Sequence, residues 1–308
     1  MRFSAPVQPA DRSFSEMYRL LFRTPKVAWP AHFPSPFQDK PSVRFDGLRV
    51  TLIGHASFLV QLSGLNILID PVYSERASPF SFTGPMRVNE PGIAWGDLPP
   101  IDVVLITHNH YDHLDRQAVT ALHQKFTPRI IAPLGNDTII RRFDRGIRVE
   151  AHGWGDAVDL GNGVRVHLRP SYHWSARGLF DKRMALWCAF VLETRDGVIY
   201  HLGDTAYGDG AIFRQVREEF GAPRLAMIPI GAYEPRWFMG DVHVNPEEAV
   251  RILLDCRAER AIGYHWGTFQ LTAEPIEAPV RALAAALDEA HVPHERFIAF
   301  RPGQVFEA

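Results

Sequence analysis

Cysteine is scarce in this 308-residue chain, which contains only Cys188 and Cys256. Two cysteines cannot build a disulfide framework, so the fold must depend on its apolar core. Both lie in apolar stretches, where free cysteines are commonly buried and unreactive. This usage fits a protein of a reducing compartment, and the sequence predicts a cytoplasmic location.

Long hydrophobic runs and a surplus of either charge are absent too. No apolar stretch reaches the ~18 residues of a membrane-spanning helix, and residues 1–15 lack the apolar segment of a secretory signal peptide. The 33 Lys and Arg residues nearly balance the 35 Asp and Glu residues, for a formal net charge of −2. Because that balance gives no whole-chain basic field, a nucleic-acid partner is not expected. Contact with a membrane would be peripheral at most.

The first 45 residues differ from the rest of the chain because they hold seven of its 24 prolines. Such a segment favours extended, irregular structure, and we interpret 1–45 as an N-terminal extension. Within it, an apolar face recurs at helical spacing over residues 13–22, with Ser13 and Glu16 placed for a capping box. This face consists of Phe14, Met17, Tyr18, Leu21 and Phe22. Flanking basic residues leave two interpretations, a helix packed on its own domain or one that lies on a membrane surface.

Residues 46–308 predict a single domain, since 46% of the chain is hydrophobic, enough to build a core. Strands over 48–53, 57–61 and 65–69, separated by glycines, indicate an antiparallel meander. The apolar run 101–107 is typical of a strand buried on both faces. Later elements repeat this arrangement, with strands at 129–132, 164–168, 186–192, 198–202, 225–230 and 261–264, and helices at 115–126, 211–220 and 246–257. Two β-rich halves with trailing helices predict an α/β fold, a four-layer αββα sandwich.

Three histidines and a carboxylate lie within six residues in the segment Thr107–His113, at the end of the buried strand. Imidazole and carboxylate groups are the ligands that suit zinc and similar divalent ions. His108 and His110, two apart in extended chain, point to the same side and can share one metal. Asp112 and His113 lie on the turn into the helix and can reach a second metal.

One loop cannot fill two coordination shells, and further ligand types follow other predicted strands. His173, Asp204 and His265 each come shortly after a different strand. Each alone is compatible with an ordinary capped or buried polar residue. Three ligand types after three strands instead indicate one site, because strand-end loops are where a rigid scaffold presents reactive groups.

The order His-x-His-x-Asp-His, then His, then Gly-Asp-Thr, then His resembles the metallo-β-lactamase superfamily of binuclear zinc hydrolases. Within that superfamily, the chain from about residue 46 onward resembles the N-acylphosphatidylethanolamine-hydrolysing phospholipase D family. The segments that carry this closer resemblance are Gly54-His55-Ala56, Asp70-Pro71, Arg76-Ala77-Ser78-Pro79, Gly84-Pro85, Ile106–Asp115, Ile228–Met239, His243–Val250 and His265–Phe269. The metal motif marks only the superfamily, whereas residues 231–238 are much more specific to the family.

Carried over residue by residue, the resemblance implies two Zn²⁺ ions, with other divalent metals also compatible. It assigns one ion to His108, His110 and His173, the other to Asp112, His113 and His265, and the bridging position to Asp204. Asp70 resembles the superfamily carboxylate that orients a ligand histidine.

Four further residues match family positions with less certain roles. His55 and His243 fit either contacts around the ligands and substrate or ordinary structural histidines. Tyr233 lies in the same loop as Arg236, whose guanidinium suits either a substrate phosphate or a salt bridge within a packed loop.

The resemblance implies a phosphodiesterase that cleaves N-acylphosphatidylethanolamine to phosphatidic acid and an N-acylethanolamine, and it implies a homodimer. Two metals about 3.5–4 Å apart would lower the pKa of a bridging water, and the resulting metal-bound hydroxide would attack phosphorus. Asp112 and Asp204 are the carboxylates expected to act in catalysis. No general acid for the leaving alcohol is identifiable, and metal coordination of that oxygen would serve instead.

Three alternatives are open from the sequence. A lactonase or esterase would use the same metals, because hydroxide attacks acyl carbons equally well. A redox di-iron protein would favour an acidic residue in place of His110, so this histidine favours zinc. A non-catalytic metal- or lipid-binding module is disfavoured because all seven ligand positions are intact.

Overall fold

Fourteen strands and seven α-helices alternate along the part of the chain that the computed structural model describes, residues 2–4, 13–178 and 180–308. The strands are β1 (Leu48–Gly54), β2 (Ser57–Leu62), β3 (Leu65–Ile69), β4 (Val103–Leu105), β5 (Arg129–Pro133), β6 (Val149–His152), β7 (Ala157–Gly161), β8 (Val164–Arg169), β9 (Ala189–Thr194), β10 (Gly197–His201), β11 (Leu225–Pro229), β12 (Arg260–Tyr264), β13 (Phe297–Ala299) and β14 (Val305–Glu307). The helices are α1 (Phe14–Arg23), α2 (Arg116–Phe126), α3 (Asn136–Ile140), α4 (Ala211–Phe220), α5 (Arg236–Met239), α6 (Pro246–Cys256) and α7 (Ala278–Glu289). None of the helices in these ranges is long and apolar enough to cross a membrane.

Two seven-stranded sheets face each other across an apolar layer. The first sheet has the strand order β14-β1-β2-β3-β4-β5-β6, and the second has the order β13-β12-β11-β10-β9-β8-β7. Buried side chains of both sheets meet between them, including Phe58 from the first sheet and Phe190 from the second. The rings of Phe58 and Tyr264 pack edge to face with centroids 5.3 Å apart.

Helices cover the outer face of each sheet. α2 and α3 pack on the first sheet, where Val119 and Ile140 are fully buried. α4, α6 and α7 pack on the second sheet through residues such as Phe213, Leu253 and Leu287. The layers therefore run helix, sheet, sheet, helix, which confirms the predicted αββα sandwich.

Strand direction decides where the loops of the two sheets meet. β1, β2 and β3 pair antiparallel, as the glycine-separated pattern predicts. β3 and β4 are parallel neighbours in the first sheet, and β10, β11 and β12 are parallel in the second. Parallel neighbours end at the same edge of a sheet, so the loops that follow them lie together. This edge carries the histidines and carboxylates singled out in the sequence.

Two strands are shorter than, or displaced from, their apolar runs. The run 101–107 pairs as a strand only over Val103–Leu105. The run 186–192 becomes a strand at Ala189, and the residues before it form a buried loop in which the indole of Trp187 donates to the carbonyl of Ser171. Burial without strand pairing explains the apolar character there, because periodicity cannot distinguish a buried loop from a buried strand.

The helix expected over residues 13–22 is present as α1. The Ser13 side chain accepts a hydrogen bond from the backbone of Glu16, whose carboxylate accepts one from the backbone N–H of Ser13, which completes the capping box. Tyr18 and Phe22 are exposed, with ring centroids 5.0 Å apart. The guanidinium of Arg19 lies 4.3 Å from the ring centroid of Trp237, which places α1 beside α5.

Residues 27–45 run along the domain and bind to it. The backbone N–H of Asp39 donates to the carbonyl of Gly92. The buried carboxylate of Asp39 accepts two hydrogen bonds from Arg49 at 2.7 and 2.8 Å and one from the hydroxyl of Thr51 at 2.8 Å. This carboxylate anchors the N-terminal segment on β1.

Asp39→Ala should lower the free energy of unfolding by about 1.5–3 kcal/mol, because it leaves the nearly buried Arg49 without two charge-assisted hydrogen bonds. The matched control is Glu307→Ala, which removes the exposed partner of the same arginine and should cost much less. Urea unfolding of both variants measures the difference. Equal losses of unfolding free energy would show that the buried Asp39 contributes no more than the exposed Glu307.

Candidate metal centre

Every residue that the sequence assigns to the metals lies at one edge of the sandwich. The loop between β4 and α2 carries His108, His110, Asp112 and His113. Three other loops bring in the remaining members, with His173 after β8, Asp204 after β10 and His265 directly after β12. All seven are buried except His110, which is partly exposed. The structure therefore brings all of the predicted ligands together.

One group of potential ligands consists of His108, His110, His173 and Asp204, whose ligand atoms all lie within 4.8 Å of one another. Nε2 of His108 lies 2.9 Å from Nδ1 of His110, and Nε2 of His173 lies 3.2 Å from the same atom. The arrangement matches the first of the two predicted ligand sets.

A second group contains Asp112, His113 and His265 together with His55, again with ligand atoms within 4.8 Å of one another. The carboxylate of Asp112 lies 3.0 Å from Nε2 of His55 and 3.3 Å from Nε2 of His265. Nε2 of His113 lies 3.4 Å from Nε2 of His265. His55 thus joins the second predicted set through Asp112.

Asp204 lies between the two groups. Its carboxylate oxygens are 3.2 Å from Nε2 of His113 and 3.2 Å from Nε2 of His265, in the second group. They are 3.8 Å from Nε2 of His108 and 3.7 Å from Nε2 of His173, in the first. A single carboxylate can therefore touch ions in both groups.

The donor set fits divalent metal ions. Nε2 of His108 and Nε2 of His173 both face Nδ1 of His110, and burial keeps His108 and His110 neutral. Protons cannot satisfy all three nitrogens, since each neutral ring carries only one N–H. The buried Asp204 Oδ1 also has no hydrogen-bond donor among the described residues. A cation between these atoms would use their lone pairs, and histidine with carboxylate is a donor set that zinc accepts.

Asp70 orients two of these imidazoles from behind. It is fully buried just after β3, where it accepts hydrogen bonds from the backbone N–H and the hydroxyl of Thr107 at 2.7 and 2.5 Å. Nδ1 of His113 donates to the same carboxylate at 2.7 Å, and Nδ1 of His108 donates to the hydroxyl of Thr107 at 2.9 Å. Both rings therefore turn their Nε2 lone pairs toward the site, as ligand tautomers require.

His173 is oriented in a different way. Its Nδ1 donates to the backbone carbonyl of Val242 at 3.0 Å, which leaves Nε2 free to face the first group. The outward nitrogens of His108, His113 and His173 thus all have hydrogen-bond acceptors that belong to the protein.

Electrostatics keep the central carboxylates ionised. Burial by itself raises the pKa of Asp204, but the neighbouring His113 and His265 outweigh it and hold that pKa well below its usual value. Burial likewise opposes ionisation of Asp112, and His113, His265 and His55 together lower its pKa well below the usual value. Burial lowers the pKa of His108 and His110, so both imidazoles are neutral. Burial also opposes protonation of His113 and His265, but Asp204 and Asp112 outweigh it and raise the pKa, so a metal ion bound there would have to displace a proton from each ring.

Three residues of the same edge have a strained backbone. His55, Asp70 and His265 have φ values of 53°, 44° and 68°, in the left-handed region that non-glycine residues rarely adopt. Such conformations persist where the surrounding structure holds them in place, and they are frequent at functional sites. The backbone N–H of His265 donates to the carbonyl of His55, which ties two of these residues together.

The comparisons with known proteins agree with this geometry. A family model described as the beta-lactamase superfamily domain matches residues 65–266. The N-acyl-phosphatidylethanolamine-hydrolyzing phospholipase D 1 of Caenorhabditis elegans is 35% identical over 277 residues, which cover 85% of this chain and 76% of that protein. The chain belongs to this phospholipase D family, within the beta-lactamase superfamily.

More distant relatives support the same assignment. A metal-dependent hydrolase of Caldivirga maquilingensis is 29% identical over 264 residues, covering 82% of this chain and 95% of that protein. The metallo-beta-lactamase fold protein YhfI from Bacillus subtilis has a TM-score of 0.61 at 16% identity, covers 85% of this chain and 100% of its own, and shows the shared fold. The chain is thus a metal-dependent hydrolase, which sets aside the non-catalytic alternative.

Of the remaining residues that match family positions, His243 lies beside the metal groups, and Arg236 and Tyr233 have other surroundings. Nε2 of His243 lies 3.9 Å from Asp204 Oδ2, and burial lowers the pKa of this histidine well below its usual value. The guanidinium of Arg236 is occupied by protein groups, the carbonyl of His243 at 2.7 Å and the carboxylate of Glu248 at 2.8 Å. Arg236 therefore holds the backbone that carries His243. Tyr233 is buried, which raises its pKa, so its hydroxyl stays protonated.

Three contributors to the site escaped the sequence analysis. Thr107 joins Asp70 to His108, and its position as a polar residue at the end of an apolar run was the available signal. The ring of Trp174 packs edge to face on His110 at 4.8 Å. The buried Glu274 accepts hydrogen bonds from the backbone of the loop after β11, and no local pattern marks it, because its partners are about 40 residues away.

Asp70→Asn should lower metal affinity and kcat/KM by about 10–100-fold, because an amide cannot serve as an ionised acceptor for both His113 and Thr107. Chelator competition and steady-state kinetics measure the two effects. Asp102→Asn, before β4 at the far end from the metals, is the matched control and should change neither. Metal affinity that stays at the wild-type value in Asp70→Asn would contradict the orienting role.

Proposed function

We propose that this protein is a binuclear zinc phosphodiesterase of the phospholipase D type that cleaves N-acylphosphatidylethanolamine to phosphatidic acid and N-acylethanolamine. The observation that carries the proposal is the carboxylate of Asp204, which lies within 3.2–3.8 Å of histidine nitrogens in both groups. Two ions on either side of one carboxylate suit hydrolysis of a phosphodiester, whose charge develops on several oxygens.

The proposed ligand sets follow the two groups. One zinc would be held by His108, His110 and His173, and the second by Asp112, His113 and His265. Asp204 would contribute to both. When bound, two divalent ions lower the pKa of a water and offset charge on the phosphoryl oxygens. Five imidazoles with two carboxylates favour zinc over metals that prefer oxygen-rich sites.

Other side chains of the protein hold and orient these ligands. Asp70 and Thr107 keep His108 and His113 in ligand tautomers, as described above. His55 binds Asp112 and limits its rotation. Among the residues that the structure describes, His243 is the one remaining imidazole within 4 Å of Asp204. We assign it to contact with the substrate phosphate, with Arg236 fixing its backbone.

Hydrolysis of a matched substrate panel tests the reaction class. The metal-loaded protein should turn over N-acylphosphatidylethanolamine in vesicles and a small soluble phosphodiester, with an unsubstituted lactone and a carboxylic ester as controls. The products of the lipid should be phosphatidic acid and N-acylethanolamine, identified by mass spectrometry. Faster turnover of the lactone or ester than of either phosphodiester would replace the proposal with the acyl-hydrolase alternative.

The lipid substrate requires contact with a bilayer, and α1 is the proposed contact. Tyr18 and Phe22 are exposed on this helix, and so are the basic side chains of Arg19, Arg23 and Lys26. A basic residue near an anionic surface contributes about 1 kcal/mol, and salt screens that contribution. α1 contacts the domain through Arg19 on Trp237, and the segment after it binds from Val27 onward, whose carbonyl accepts a hydrogen bond from Gln270.

Deleting residues 1–26 should lower turnover of vesicle-bound phospholipid while leaving turnover of the soluble phosphodiester unchanged. Phe22→Ser should reproduce part of the loss, and higher ionic strength should do the same in the intact protein. The matched control is Leu254→Ser, which removes an exposed apolar side chain from α6 and should have no effect. Equal losses on both substrates would mean that α1 has only a structural role.

A further inference from the structure

A cavity of about 610 Å³ lies against the loop that carries the metal ligands, yet no candidate ligand lines it. Tyr111 and Leu114 of that loop form one wall, and Ser78 and Phe143 lie among the other lining residues. A neighbouring cavity of about 360 Å³ shares several lining residues with it, including Ser74 and Ser78. The two form one groove beside the metal loop and distinct from the metal centre.

Three arginines line the larger cavity, Arg76, Arg116 and Arg177. Arg76 donates to the backbone carbonyls of Ser81 and Gly84. Arg116 is exposed, with its guanidinium 6.0 Å from the ring of Phe143. Within the described ranges, none of the three forms a salt bridge with a carboxylate. The three guanidiniums instead contact backbone carbonyls or aromatic rings.

Asp115 is the carboxylate that lines this cavity, and it is already engaged. It accepts hydrogen bonds from the backbone N–H groups of Tyr73, Ser74 and Gln117 at 2.8–3.0 Å. Glu75 lines the neighbouring cavity, so the groove holds three guanidiniums and two carboxylates. The groove therefore keeps an excess of positive charge, and a cleft with protein walls focuses such a field.

Arg177 joins the cavity to the metal loop. Its guanidinium donates to the carbonyls of Asn109 and Leu114 and lies 3.9 Å from the ring centroid of Tyr111. Burial lowers the pKa of Arg177, so this charge lies in a poorly solvated position that a bound anion would offset.

We propose that this cavity binds a phosphate group, either free phosphate or the phosphate monoester of a lipid headgroup. Planar guanidiniums pair with phosphate oxygens through two parallel hydrogen bonds, and arginine is the side chain best suited to that geometry. The hydroxyls of Ser74 and Ser78 and the amide of Gln117 supply further donors at the same surface. The site does not depend on which substrate the metal centre cleaves.

Equilibrium dialysis of labelled inorganic phosphate against the metal-loaded full chain tests the proposal. In the double variant Arg76→Gln/Arg116→Gln, the Kd of the cavity phosphate should rise roughly tenfold or more. The matched control Arg195→Gln/Arg281→Gln removes the same charge from exposed positions elsewhere and should bind as the wild type does. Asp204→Asn should retain the cavity phosphate, which separates it from phosphate held at the metals.

Displacement by vesicles identifies the source of the phosphate, and a single variant provides a test if the double variant does not fold. Displacement by vesicles that contain phosphatidic acid, but not by phosphatidylcholine alone, assigns a lipid headgroup, and no displacement by either assigns free phosphate. Arg116→Gln alone changes an exposed side chain and should raise Kd even if the double variant fails to fold. Wild-type binding by Arg116→Gln and by a folded double variant, or an equal loss in the control, would overturn the proposal and leave an adventitious ion only.

Discussion

Asp204→Asn is expected to abolish hydrolysis and to disturb metal binding in both groups at once. The carboxylate lies 3.2 Å from Nε2 of His113 and between 3.7 and 3.8 Å from the nitrogens of His173 and His108. An asparagine removes the negative charge and points an N–H₂ donor at atoms that need a cation. The loss of kcat/KM should therefore exceed the about 10–100-fold range of residues that only orient ligands.

Metal content and kinetics, measured on the same preparation, check this expectation. Asp70→Asn is the internal comparison, because it also replaces a carboxylate by an amide, but at a residue that binds the ligand His113 from the side away from the metals. Its loss of kcat/KM should be smaller. An Asp204→Asn protein with two tightly held metals, or one less impaired than Asp70→Asn, would reverse the assigned positions of the two carboxylates.

Removal of the metal ions should give the second large effect, a complete loss of activity that two equivalents of zinc restore. His110 and His265 belong to different groups, so His110→Ala and His265→Ala should each retain about one equivalent. Each should lose more than about 100-fold in activity, because the proposed chemistry would divide water activation and charge stabilisation between two ions.

Elemental analysis of dialysed protein and titration of the chelated enzyme measure the stoichiometry. His167→Ala is the control, since this histidine pairs with the exposed Glu193 on the second sheet and belongs to neither group. Its metal content should equal that of the wild type. Full activity in His265→Ala, or restoration by a single equivalent, would contradict two-metal catalysis.

The local sequence predicted elements correctly where residue types recur at the spacing of a helix or strand, or where capping residues and glycines mark its ends. The capping box of α1 is present because Ser13 and Glu16 are three apart, the spacing that closes both hydrogen bonds within one turn. The antiparallel meander of β1 to β3 follows from glycines between short apolar runs. Asp115 caps α2 next to the histidine motif, so the metal loop ends where the sequence places the helix start.

The local sequence did not predict which elements pair with partners far away along the chain. β14 returns to pair with β1 in the first sheet, although it follows the strands of the second sheet along the chain. α7 was not predicted, because its alanine-rich sequence provides few large apolar residues, and its buried face uses positions such as Leu283 and Leu287. Such elements depend on partners far away in the sequence, which a local pattern does not name.

Some roles of individual polar residues follow from the sequence, and others follow only from the tertiary structure. The sequence by itself singled out the seven candidate ligands, because each is a metal-binding type in a loop that follows a strand, and such loops meet at a common edge. Only the tertiary structure decided that Arg236 binds Glu248 and His243, that His55 joins Asp112, and which arginines share a cavity. Residue type sets which bonds a side chain can make, but its partner depends on which loops the sheets bring within hydrogen-bond distance.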